Sequence, residues 1–213
     1  MTGYQTGLMT AAMLMAFSIL LLGGNVIRNR MEEPVGRRKL AVCTLLPAFG
    51  LTLLLFLTGS DAAYLIRAVI LCSFLPLIAM IDRRERIIPN HLLLWMFIYW
   101  GLAVLIHLLH RGLDTHFLMD SLVGGLIGAT PLLARLICRG GIGMGDIKLF
   151  ILIGLYVGKE NILRAMFLSL VTALVYILAM RIRRKIGRRE ELSFGPYIAM
   201  GTMLMVFMNI PIF

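Results

Sequence analysis

Long apolar runs alternate with short polar breaks along the whole chain. The runs cover residues 7–27, 40–58, 62–81, 91–110, 116–138, 147–157, 162–180 and 194–213. Most reach the roughly 20 residues that an α-helix needs to cross a bilayer. The stretch 147–157 is shorter, which predicts a helix that starts inside the bundle, where irregular backbone is shielded by protein or lines a wet cleft. Breakers punctuate the pattern: Pro34 and Gly36, then Gly59-Ser60-Asp61, then Arg111-Gly-Leu-Asp-Thr115, then Gly158-Lys-Glu-Asn161. Pro47 falls inside the second run, where neighbouring helices tolerate a kink. Gly124, Gly125, Gly128 and Ala129 give the fifth run a small-residue face suited to close helix packing. No internal repeat, linker or low-complexity segment stands out. The expected fold is all-α: a polytopic membrane helix bundle of about eight transmembrane helices, forming one domain over residues 1–213.

Composition agrees with the pattern. Hydrophobic residues make up 60% of the chain and charged residues 15%, which excludes an ordinary soluble domain. The net charge of +10 is assigned to orientation in the lipid bilayer, not to nucleic acid, since no nucleic-acid module is visible. If the eight runs alternate, all but four of the 21 Lys and Arg fall on one side; Arg67, Arg111, Lys159 and Arg164 are the exceptions. Cytoplasmic loops hold the excess of Lys and Arg, so both termini are expected outside. Merging the sixth and seventh runs would put the basic stretch 181–189 outside, against that rule. The amino-terminal run follows an uncharged start and is read as a retained helix. Cys43, Cys72 and Cys138 are scattered within or beside apolar runs and offer neither a disulfide framework nor a zinc spacing. The histidines 91, 107, 110 and 116 lack a helix-borne zinc arrangement, and His107 and His110 read as interfacial. Neither a metal nor a cofactor is expected.

Two carboxylates depart from this plain architecture. Asp82 ends the third run and is followed by Arg83, Arg84, then Pro89-Asn90; Asp146 opens the sixth after glycines 140, 141, 143 and 145, and is followed by Lys148. Removing a carboxylate from water costs several kcal/mol unless it is paired or protonated. The charge-derived topology sets both at the cytoplasmic ends of their helices, at similar depth, with Phe194-Gly195-Pro196-Tyr197 entering from the same side. Two carboxylates sharing a site do not both ionise cheaply, so one keeps a proton while the other stays charged. That state suits water-activating peptide hydrolysis. Each aspartate alone also fits a helix cap or an arginine counter-ion, the glycines fit packing or a hinge, and Pro89-Asn90 fits a helix start.

Taken together, Asp82 with Ile-Pro-Asn at 88–90, Gly-x-Gly-Asp at 143–146 continuing Ile-Lys-Leu149, and Ser-Phe-Gly-Pro-Tyr197 closely resemble the type 4 prepilin peptidase family over about residues 60–213. Signal peptide peptidases and presenilins share Gly-x-Gly-Asp, but the Tyr-Asp and Pro-Ala-Leu motifs that accompany it there are missing here. The resemblance implies that Asp82 and Asp146 are the catalytic pair. It also implies that Gly143, Gly145, Pro89, Asn90, Lys148, Gly195 and Pro196 form the active-site loop and substrate-binding surroundings. The implied substrates are prepilins or pseudopilins of a type IV pilus or protein secretion system. They would be cut at the cytoplasmic face of a prokaryote's inner membrane, after a short basic leader ending in glycine. Bifunctional members add paired Cys-x-x-Cys motifs and methylate the new amino terminus. The loop 28–39 is too short for such a domain, so a short, peptidase-only form is expected. Glu32, Glu33, Glu85, Glu190 and Glu191 fall on the cytoplasmic side, where they either steer a basic leader or offset neighbouring arginines. A competing class is a small basic transporter or channel subunit using Asp82 and Asp146 as proton or cation sites.

Overall fold

In the computed structural model, the structure describes residues 62–112, 114–137, 143–183 and 193–208, with a few positions before them (14, 16–19, 21, 49 and 50). Most of the first two predicted runs, the loop 28–39 and all of 184–192 therefore lie outside the described residues. Within them all regular structure is helical: α1 (Ala62–Glu85), α2 (Asn90–Arg111), α3 (Thr115–Gly128), α4 (Thr130–Ile137), α5 (Met144–Ile182) and α6 (Gly195–Met208). By length and apolarity, Asn90–Leu109, Thr115–Leu133 and Met144–Ile182 are three candidate membrane spans among the described residues.

α1 is the central helix. Val69, Ile70, Leu71, Cys72, Leu75, Leu77 and Ile78 are all fully buried, and a helix apolar on every side belongs in the interior. Cys72 is thus a packing residue, as its apolar setting implies. On α2, by contrast, Leu94, Phe97, Ile98, Leu102 and Leu105 are exposed along one face, the surface that lipid would cover. The helix begins at Asn90 with Pro89 at its N-cap (φ −67°, ψ 127°), so Pro89-Asn90 is a helix start. It ends at Gly112, and Asp114 then caps α3 by accepting from the backbone N–H groups of His116 and Phe117 at 3.1 and 3.2 Å. His107, near the C-terminal end of α2, packs inward: its side chain is 8% exposed and 3.8 Å from that of Asp114, and it stacks on Phe117 with ring centroids 4.1 Å apart. A neighbouring aromatic face gives the imidazole a site inside the bundle.

α5 is two helices, not one. Gly158 has φ 79° and ψ 177°, a combination open essentially to glycine. A straight helix would hold Phe150 and Thr172 about 33 Å apart at 1.5 Å per residue. Yet the Phe150 ring lies 6.2 Å from that of Phe194, while the Thr172 hydroxyl donates to the Tyr197 carbonyl at 3.2 Å, one turn away on α6. The chain therefore doubles back at Gly158. Residues 144–157 and 159–182 are separate helical arms, matching the predicted sixth and seventh runs, with the turn shortened to one residue. Asp120 completes it by accepting from the backbone N–H of Lys159 at 3.3 Å.

The small face of α3 packs where its composition directs it. A Cβ on Gly124 would meet the Gly158 backbone 2.7 Å away, and one on Gly125 would meet the Leu155 side chain at 2.8 Å. In lipid, where apolar helices gain little from leaving their solvent, such backbone approach supplies the packing that holds helices together. The fifth run is interrupted once within its described residues, however. α3 stops at Gly128 and α4 begins at Thr130, because Pro131 has no N–H to continue the preceding helix. Trp100 Nε1 donates to the Leu155 carbonyl at 3.0 Å and the Tyr156 hydroxyl to that of Met96 at 2.7 Å, tying α2 to the first arm of α5.

Candidate active site

The pairings fix which helix ends share a level. α2 runs parallel to the first arm of α5, with Asn90 beside Lys148 and Met96 beside Tyr156. α6 runs antiparallel to the second arm, Tyr197 facing Thr172 and Ser169 facing Ile198. The C-terminal end of α1 and the N-terminal ends of α2, α5 and α6 consequently meet at one end of the bundle. The opposite end holds Gly158, Asp120, Asp114 and the C-terminal end of α2.

Asp82 sits in the last full turn of α1, which runs beyond the predicted end at Ile81. It is 4% exposed, and its Oδ2 accepts from the backbone N–H of Gly195 at 2.8 Å. Gly195 opens α6, so the carboxylate occupies the position of a helix cap supplied by another helix. Nothing larger than glycine fits there: a Cβ would stand 2.6 Å from Oδ2 and 2.9 Å from Cγ of Asp82.

Asp146 is half-buried in the first turn of α5. Its carboxylate accepts from the backbone N–H of Gly143, the N-cap residue, whose backbone is extended at φ −64° and ψ 141°. Gly145 lies against the turn before α2, where a Cβ would come 3.0 Å from that of Ile88. Lys148, two residues beyond Asp146, donates from Nζ to Asn90 Oδ1 at 3.0 Å. Asp146 is near enough to Asp82 to feel its charge.

Every predicted site residue thus lies at this end. Gly143, Gly145, Asp146 and Lys148 come from α5 and its N-cap, Pro89 and Asn90 from the start of α2, Asp82 from α1, and Gly195 and Pro196 from α6. Of the acidic residues considered for a basic leader, Glu85 falls among the described residues, partly exposed at the end of α1; the other four lie outside them. No group of three or more His, Cys, Asp or Glu side chains able to hold a metal occurs among the described residues. The arrangement brings two carboxylates, each holding one backbone N–H, to the end of an apolar bundle. Such a pair can share a proton and activate a water.

Phe150 had no place in the predicted site, and Phe194 entered it only as part of the Phe-Gly-Pro-Tyr segment. Their rings, 6.2 Å apart at 55°, join α5 to the corner before α6. The periodicity carries the signal for one of them, since Phe150 is four residues after Asp146 and shares its helix face.

The model of the type IV leader peptidase family matches residues 69–178, a stretch that includes both aspartates and stops short of Gly195. A prepilin leader peptidase/N-methyltransferase of Bacillus subtilis (strain 168) is 32% identical over 142 residues, covering 64% of this chain and 53% of that protein. One from Pectobacterium carotovorum subsp. carotovorum is 29% identical over 151 residues, covering 67% and 51%. The chain therefore spans about half the length of the curated relatives it matches. No solved structure matches.

Proposed function

Because the chain belongs to the type IV leader peptidase family, we propose that it is a membrane-embedded aspartic endopeptidase that removes the short basic leader from prepilins or pseudopilins. The observation that carries this is the presence of Asp82 and Asp146 at one end of the bundle, with Asp146 within reach of the Asp82 charge. In the proposed mechanism the charged carboxylate takes a proton from a water whose oxygen attacks the scissile carbonyl carbon. The protonated partner hydrogen-bonds the carbonyl oxygen as negative charge develops on it. Collapse of the tetrahedral adduct breaks the C–N bond, and the departing amine leaves with a proton from the dyad. One water is consumed and no covalent enzyme intermediate forms.

Gly143, Gly145, Pro89, Asn90, Lys148, Gly195 and Pro196 frame the cleft. An extended substrate suits it, because a helical peptide bond is internally bonded and sterically covered. In this proposal the dyad end faces the cytoplasm, eight crossings leave both termini outside, and the host is the inner membrane of a prokaryote. The shared level of Asp82, Asn90, Lys148 and Gly195 supports this, since the basic loops lie on that side of the alternating pattern. The 213 residues contain no Cys-x-x-Cys pair, so cleavage without methylation is proposed for them.

The test is to incubate purified protein with a prepilin and weigh the products by mass spectrometry. A single cut at the junction between basic leader and hydrophobic helix is expected. Ion-coupled flux in proteoliposomes without any cleavage would replace the peptidase with a transporter.

A further inference from the structure

Resting on the peptidase reading, we infer that the corner Phe194-Gly195 is the positioning element of the dyad, holding Asp82 through a backbone N–H and the Asp146 helix through a ring contact. Among the first amides of α6 that N–H stands apart. The backbone N–H groups of Tyr197 and Ile198 are spent on the Phe194 carbonyl at 3.0 and 3.1 Å. Pro196 has none. Gly195 donates the remaining one, and it goes to Asp82 Oδ2 at 2.8 Å in a buried setting.

The second tether starts one residue earlier. The Phe194 ring packs on Phe150, one helical turn after Asp146 and on the same face. Asp82, Gly195, Phe194, Phe150 and Asp146 are thereby linked in a continuous series of contacts, and α6 sets the distance between carboxylates carried by α1 and α5. Neither Phe194 nor the Gly195 N–H needs to touch substrate for this. Both are positioning groups that act through the aspartates.

The test compares Gly195→Ala and Phe194→Ala with the parent protein, using the exposed α6 position Met200→Ala as a control. For Gly195→Ala, which keeps the N–H but whose Cβ would push the Asp82 carboxylate off it, kcat should fall about ten- to a hundredfold, as disruption of one hydrogen bond to a charged group implies. KM for prepilin should change less than about threefold if binding is untouched. The acidic limb of the pH profile should move to higher pH, because the displaced hydrogen bond favoured the charged carboxylate. Phe194→Ala should lower kcat with the same sparing of KM, and Phe194→Tyr, which restores a ring, should recover most of it. Should Gly195→Ala fail to fold, replacing the amide at residue 195 by an ester deletes the N–H at constant shape and takes its place. Parent-like kcat and pH profile in the folded Gly195 variant or the ester would overturn the inference. Asp82→Asn and Asp146→Asn run alongside separate the two levels. If those cleave normally, the peptidase reading fails; if they are dead while the corner variants are unaffected, only the positioning role does.

Discussion

At the scale of single residues, the chemistry of the site follows from what a buried carboxylate needs. Asp82 is almost without solvent and has one backbone N–H; Asp146 keeps partial access and has another. Both aspartates were legible in the sequence because a charge at the end of an apolar run is costly, and the glycines around Asp146 advertised close approach. The partner of Asp82 was not. The bond to Gly195 joins positions 113 residues apart, and no local pattern encodes such a pairing. Gly145 offers a clean test of the approach it permits. With Ile88 Cβ 3.0 Å from a would-be Cβ, Gly145→Val must push the turn before α2 away from the start of α5. Cleavage should fall by about tenfold or more, as overpacking costs of about 1–3 kcal/mol imply, while Met200→Ala, at an exposed α6 position, should stay within about twofold. Kinetics on both folded variants would check the contrast.

Among the elements, the break at Gly158 was readable and the one at Ala129 was not. Gly-Lys-Glu-Asn interrupts an apolar run with polar residues, so the reversal showed in the pattern. The division of the fifth run depends on Pro131, which sits in an apolar context that masks it, and α4 emerges as a separate short helix. Gly158 does two things at once: it adopts φ 79°, and it leaves room for the Asp120 carboxylate, which a Cβ there would strike. Gly158→Ala should therefore lose about 1–3 kcal/mol from backbone strain alone, seen as a lower unfolding midpoint in detergent. Asp120→Ala, which removes a cap without adding strain, should lose about 1 kcal/mol. Equal effects of the two would show that the strained turn is not what glycine serves at this position.

For the molecule as a whole, alternation and charge foretold which helix ends would share a level, and the pairings between α2, α5 and α6 agree for the described residues. Orientation in the membrane is a separate matter, because the bundle looks the same whichever way it is inserted. In a chain whose native cysteines are replaced, a cysteine at position 159 should react with a membrane-impermeant maleimide added outside intact cells. One at position 86 should react only after permeabilisation. The reverse pattern would move the dyad to the outer face and remove the cytoplasmic site of cleavage.

The central claim is that Asp82 and Asp146 act together on a peptide bond. Its most direct measurement is the single-turnover cleavage rate of a prepilin by the parent protein, Asp82→Asn and Asp146→Asn, each first shown to be folded by its unfolding midpoint. Both substitutions keep size and hydrogen-bonding capacity while removing the proton exchange, so each is predicted to slow cleavage by about a thousandfold or more, in the range of general acid–base catalysis. Parent-like cleavage by either variant would contradict a two-aspartate centre.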